Sequence, residues 1–331
     1  TLDPQLTALA MAEMPAQSPE EALIAMGGLD QRAFQRERDG TPLVTLEHDA
    51  GTGIAIIELA DAAHANAIDL AIAQALRRVV EETHGLEPLR AVVFQGAGDH
   101  FCVGVNPYNF IRRTKTLPEL TAARATYEIN GAFVELRSLP VPVIVVAHGK
   151  VMGGGIAAML NGDVRIAAAD ARFNYGNLPR GVWPGMELSA NLSRLVGPQW
   201  ATDLYVNDYT LTADQARDIG LVNQVAPTVT AARTEALALA RRLASFPAMG
   251  VRATMRLVRP PIDRARLARE SLGIARCNVQ GGAFAQGWKA KEHALQPSDA
   301  PRVSAAAPKP LLVEDRVRDR AVSELRHVRL S

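Results

Sequence analysis

The chain has 331 residues, 36 Lys and Arg against 35 Asp and Glu, and a formal net charge of +1. That balance gives no pull toward nucleic acid or an acidic membrane surface. Two cysteines, Cys102 and Cys277, are too few for a disulfide framework or a thiolate metal cage, and no apolar run reaches the roughly 18 residues of a spanning helix. The expected setting is a reducing cytoplasm, with no metal. The chain begins at Thr1 rather than Met, and the expectation is one processed or excised from a longer synthase.

Residues 1–40 read as a helical N-terminal extension: Ser18 is placed to cap, Pro19 opens the helix, and Glu21 closes a capping box. The body begins near residue 41. "LVTLEH" and "GIAIIELA" read as strands around "DAGTG", and "IDLAIAQALRRVVEETHG" has helical spacing with a terminal glycine. "RAVVFQG" is a short buried strand, followed by a loop holding "GDHFCVGVNPYNF". A helix is predicted over 118–138, then a buried strand "VPVIVVA", and further strands at "VRIAAA" and "ARFNYG". Strands alternating with helices imply crossovers and a largely parallel sheet. From residue 187 almost everything reads as helix, including 213–219, 229–246 and 264–281. The end, 297–331, reads as a Pro/Ala/Ser linker and a short amphipathic tail with Val313, Val317, Ala321, Leu325 and Val328 near one face. That tail is expected to fold back or to dock on a synthase partner.

Two strand-to-helix loops carry glycines: Gly153 to Gly155, and Gly104 in "HFCVGVN". Backbone N–H groups at such a place can reach an oxygen where no Cβ intervenes. The triplet fits neither a phosphate-binding P-loop nor a dinucleotide fingerprint, because the Gly-Lys-Ser/Thr ending and the G-x-G-x-x-G spacing are absent. Tight packing of the helix on the sheet is the competing explanation. Two loops together could supply two donors to one oxygen, as an oxyanion hole.

"HANAI" (64–68), "HFCVGVN" (100–106), "GKVMGGGIAAMLNGDVRIA", "ARFNYGNLPRGVWPG" and "LTADQARDIGLVNQVAP" stand in the order found in the crotonase superfamily, the enoyl-CoA hydratase/isomerase-like proteins. Over residues 41–296 the chain resembles that family. The resemblance implies an α/β fold, a crotonase-like ββα spiral with a helical C-terminal region, assembled as a homotrimer or hexamer. It implies a substrate carried as a thioester of coenzyme A or of an acyl-carrier protein's phosphopantetheine, with no further cofactor. Val105 and Gly154 take the family's oxyanion positions through their backbone N–H groups. Val103, Ala67 and His64 fall where relatives hold the carrier.

The family's hydratases use two glutamates to handle water. In register those positions are Ala157 and Asn177, and neither ionises at neutral pH. Simple hydration is therefore not expected, and Gly185 stands where the dienoyl isomerases and aryl-CoA dehalogenases carry aspartate. Decarboxylation needs no base, because loss of CO2 makes the enolate directly. "LADAAHANAI" and "GVWPGMEL" resemble the decarboxylating homologues of polyketide β-branching. The expected function is an acyl-thioester decarboxylase; the alternatives are a non-catalytic thioester-binding or assembly module, an isomerase, or a C–C hydrolase. Asn177 and Tyr108 are candidate donors in the pocket, and Arg113 a candidate for a substrate carboxylate. Glu187 reads as a helix N-terminal acid, and Cys102 and His148 as structural.

Overall fold

The computed structural model describes residues 40–106, 119–176, 178 and 182–281. The calls on the N-terminal extension and the C-terminal tail lie outside the described residues, residue 40 excepted. β1 (Val44–Asp49) and β2 (Ile54–Leu59) form an antiparallel hairpin. Its turn is held by Asp49, whose carboxylate accepts from Gly51 N at 2.9 Å and Thr52 Oγ1 at 2.8 Å. α1 (Leu70–His84) starts where Asp69 accepts from Ile72 N at 3.0 Å, an N-cap that satisfies one orphan amide. Its buried stripe of Ile72, Leu76, Val79 and Val80 follows the helical period. Each fully buried aliphatic there contributes about 1.5–3 kcal/mol.

β3 (Ala91–Gly96) pairs parallel to β2, and β4 (Val143–Ala147) pairs parallel to β3 after α2 (Glu119–Val134). β6 (Val164–Ala168) and β9 (Gln224–Ala226) complete a six-stranded sheet of order β1-β2-β3-β4-β6-β9. One face is covered by α6 (Val229–Ala244), whose Ala232, Ala236 and Ala240 recur every fourth residue. Those small side chains meet Ile54, Ala91, Val93, Ile144, Val146 and Ile166. β5 (Lys150–Met152), β7 (Arg172–Asn174) and β8 (Thr210–Thr212) make a second, three-stranded sheet.

The remaining helices are α3 (Gly154–Met159), α4 (Leu188–Asn207), α5 (Ala213–Asp218), α7 (Ala248–Val258) and α8 (Arg264–Gly281). α4 is kinked at Gly197, with φ 82°, and Pro198 opens its second half. The α/β architecture is the one expected.

Two expectations need correction. The run "VPVIVVA" does not feed the glycine triplet directly: β4 ends at Ala147, and a separate strand, β5, leads into Gly153. Between them Gly149 takes φ 53°, at a spot where a Cβ would lie 1.9 Å from Asp99 O. The second half, which reads almost entirely as helix, also holds two strands, β8 and β9, on either side of the helix read at 213–219. Three residues are too short to display a period; their strand form comes from pairing with β7 and β6.

Candidate active site

β3 and β4 are adjacent and parallel, so the loops leaving their carboxyl ends emerge side by side. The loop after β3 is zipped onto the chain after β4. Phe101 N donates to His148 O at 2.9 Å, Cys102 N to Lys150 O at 3.3 Å, and Met152 N to Cys102 O at 3.1 Å. Gly104 follows with φ 83°; a Cβ there would lie 2.6 Å from Met152 O and 3.1 Å from Gly154 N. Only glycine satisfies both the backbone angle and that approach.

The three triplet glycines have three different reasons. Gly153 takes φ 48° and ψ −109°, closed to other residues, and its N–H donates to Asn174 O at 3.0 Å. Gly155 sits so close to the first loop that a Cβ would lie 2.1 Å from Cys102 O. Packing accounts for both. Gly154 is less crowded: a Cβ would meet Ile68 Cδ1 at 3.3 Å and Val105 Cγ2 at 3.6 Å. As the first residue of α3 its amide has no intrahelical acceptor.

The Val105 amide is freed by a different device. Ile68 and Val105 form an isolated parallel bridge, in which Ile68 N donates to Gly104 O at 2.8 Å and Asn106 N to Ile68 O at 2.7 Å. A parallel bridge uses the groups on either side of the opposed residue, so the N–H of Val105 faces away from Ile68. Among the described residues neither Val105 N nor Gly154 N donates to a protein acceptor.

The "HANAI" corner lies against this loop. Val103 N donates to Ala65 O at 3.2 Å, and Ala67 is buried with its N–H on His64 O. His64 Nδ1 lies 2.7 Å from Asp61 Oδ1, a local pair in a 3-10 turn over Ala62–His64, with the imidazole 41% exposed. Asn66 is the residue that sequence reading passed over. Fully buried at φ 53°, it donates from Nδ2 to Ala97 O at 3.0 Å and His100 O at 2.8 Å. The available signal was an asparagine within "HANAI", a residue type that tolerates the left-handed region.

Ala157, the position expected to match the first hydratase glutamate, is buried on α3. Asn177, Tyr108 and Arg113 lie outside the described residues. His148 is structural: Nε2 donates to Gly98 O at 2.9 Å, Nδ1 has no partner among the described residues, and burial pushes the imidazole pKa down. Cys102 is buried, and its Sγ accepts from Gly104 N at 3.4 Å. Glu187 stands at the head of α4 as expected, but its side chain does not cap that helix. It pairs with Arg137 and accepts from Asp263 N at 2.5 Å. Among the described residues no group of three His, Cys, Asp or Glu could hold a metal ion, and no helix is long and apolar enough to cross a membrane.

The family model for enoyl-CoA hydratase/isomerase matches residues 49–274. The chain belongs to the crotonase superfamily. Within this superfamily it is 32% identical over 161 residues to the short-chain-enoyl-CoA hydratase of Clostridium acetobutylicum, covering 48% of this chain and 60% of that relative's length. It is 29% identical over 235 residues to "Probable enoyl-CoA hydratase echA12" of Mycobacterium leprae, covering 70% and 79%. The crotonase fold is shared with the enoyl-CoA hydratase structure from Bacillus halodurans, at TM-score 0.68 and 17% identity, over 75% of this chain and 99% of that one. These relatives bear the name hydratase; none bears the name decarboxylase.

Proposed function

We propose that this crotonase-superfamily member acts on an acyl thioester, of coenzyme A or of an acyl-carrier protein, by stabilising an enolate between the N–H groups of Val105 and Gly154. The observation that carries it is that a Cβ on Gly154 would touch Val105 Cγ2, with no acceptor for either amide among the described residues, beside a buried Ala157 where the family resemblance puts a hydratase carboxylate. The thioester carbonyl oxygen would accept both donors, and they would strengthen as negative charge develops on it.

With no ionisable group at Ala157 or Asn177, the enolate is best made by a step that needs no base. In decarboxylation of a β-carboxyacyl or glutaconyl-type thioester, the carbon–carboxylate bond breaks. Its electron pair enters the enolate, CO2 leaves, and a proton is then taken up at carbon. Tyr108 is the proposed proton donor, Asn177 a hydrogen-bond donor, and Arg113 the group that orients the departing carboxylate. Val103, Ala67 and His64 are the proposed carrier contacts. A homotrimer or hexamer is the proposed assembly, with the C-terminal tail available to a synthase partner.

Incubating the protein with a glutaconyl thioester and following mass by spectrometry tests the reading. Loss of CO2 supports it. Binding with no turnover would indicate the non-catalytic module, for which the missing carboxylates also speak. Failure to bind either carrier form would end the thioester reading.

A further inference from the structure

The helix α7 buries none of its residues. Ala248, Val251, Arg252 and Met255 are half-buried at helical spacing and form the side turned to the fold. The other side carries a row of residues four apart, Met249, Ala253 and Leu257, with Met249 84% and Leu257 86% exposed. Val258 and Phe246, at the two ends of the row, are 62% and 44% exposed. A contiguous apolar patch facing water marks an interaction site.

The surface around this row has one sign. Residues 236–262 hold five arginines, Arg241, Arg242, Arg252, Arg256 and Arg259, and no acid, in a chain whose charges otherwise balance. Arg259 is paired with Asp163, and Arg252 Nη2 donates to Leu89 O at 3.3 Å. Arg241, Arg242 and Arg256 are exposed and make no ion pair among the described residues. A second α7 laid on this row would bring the same arginines with it, and like charges repel. The row is a single line of side chains, the width of a helix–helix seam rather than of a face that lies in lipid.

The opposite sign stands at the start of the chain. Residues 1–31 hold Asp3, Glu13, Glu20, Glu21 and Asp30, and no Lys or Arg. Within them "SPEEALIAM" reads as a helix start, with Glu20 and Glu21 in the first turn and Ala22, Leu23 and Met26 at helical spacing. We propose that residues 18–31 dock on the outer face of α7, their apolar side along Met249, Ala253 and Leu257 and their acids against Arg241, Arg242 and Arg256. The chain is long enough for this. β1 begins opposite Leu59, at the carboxyl end of β2, and ends opposite Ile54, a run of about 20 Å. Residues 27–43 span about 55 Å when extended. α7 lies at the amino ends of the strands: Arg90, just ahead of β3, donates to Ala244 O at 2.9 Å and to Phe246 O at 2.9 Å. The glycine loops leave the carboxyl ends, so the docked segment leaves the thioester site open. The proposal is independent of which reaction that site performs.

Hydrogen-exchange mass spectrometry on the whole chain tests it. Amides of 19–31 and of 248–258 should both exchange slowly. Deleting residues 1–31 should speed exchange in α7 and leave the glycine loops unchanged. Arg242→Glu/Arg256→Glu should free 19–31, and adding Glu20→Arg/Glu21→Arg should restore its protection. Exchange of 19–31 at the unstructured-chain rate in the unaltered protein would overturn the docking. So would an α7 uncovered by dilution instead of by the deletion, the mark of a second copy, or one covered only on adding phosphatidylserine vesicles. Should the shortened chain fail to fold, the charge swap decides: protection that is not restored overturns the proposal.

Discussion

Ile68 bonds to the residues on either side of Val105 and so leaves the Val105 amide facing away from it. The two contacts, Ile68 N to Gly104 O and Asn106 N to Ile68 O, turn a backbone group into an available donor without any special side chain. Gly154, with its own amide at the start of α3, lies close enough that an added Cβ would touch Val105 Cγ2 at 3.6 Å. A pair of donors built this way depends on backbone path alone, so Val at 105 is no obstacle.

The glycine triplet should separate packing from chemistry. Gly155→Ala forces a Cβ to within 2.1 Å of Cys102 O and should cost at least about 1–3 kcal/mol as overpacking. Gly154→Ala needs only a small adjustment at Ile68 and should fold, yet it narrows the space beside both amides. Gly154→Pro removes one donor, which should lower thioester turnover by about 10²–10³-fold. Thermal melts and turnover on the same three variants check this. Equal destabilisation at 154 and 155 would contradict the distinction.

Crotonyl thioesters should not be hydrated, because Ala157 and Asn177 offer no general acid or base. The enoyl absorbance of a crotonyl thioester should stay constant on adding the protein. Hydration at the rate of an ordinary hydratase would refute the proposal of a base-free reaction.

Asn66 should matter for the carrier corner. Asn66→Ala leaves Ala97 O and His100 O without their buried donor and puts an ordinary residue at φ 53°. A cost of about 1–3 kcal/mol per unsatisfied group is expected. Asn66→Gly relieves the backbone but not the hydrogen bonds, so it should fall between the two in a denaturant titration.

Arg259 should be among the more costly surface-adjacent arginines to remove. Its guanidinium holds Asp163 through Nε at 2.7 Å, and it also donates to Arg137 O, Leu139 O and Val141 O. Arg259→Ala takes the guanidinium from three carbonyls and leaves Asp163 with the Val143 amide but without its cation, and breaking such a largely buried pair costs about 3–5 kcal/mol. Arg259→Lys cannot span the same fork and should recover little.

Acid sensitivity should carry a contribution from His148. Its folded-state pKa is held below the ordinary 6.5 by burial, so the unfolded chain binds more protons in that window. Stability from this group is present above pH 6.5 and declines as pH falls through it. His148→Gln, which can still donate to Gly98 O, should flatten that decline in pH-dependent melts.

Sequence alone determined the elements whose signals are local. The hairpin at Asp49, the helix that runs to Gly85, the buried strands and the helical 229–246 stretch are all written in turn chemistry and periodicity. The two glycine loops were legible because loop glycines and motif order are one-dimensional facts. Tertiary structure decided what depends on a partner distant in sequence. β8 and β9 are strands because β7 and β6 supply their hydrogen bonds, which no three-residue pattern encodes. Gly153, Gly155 and Gly149 look alike in sequence; only the approach of Cys102 O or Asp99 O assigns each its reason. Glu187 reads as a helix acid from its position, but its bonds to Arg137 and Glu270 join segments 50 and 83 residues apart. Burial turns that meeting of charges into an energetic constraint, and burial is a property of the folded chain, not of the sequence order.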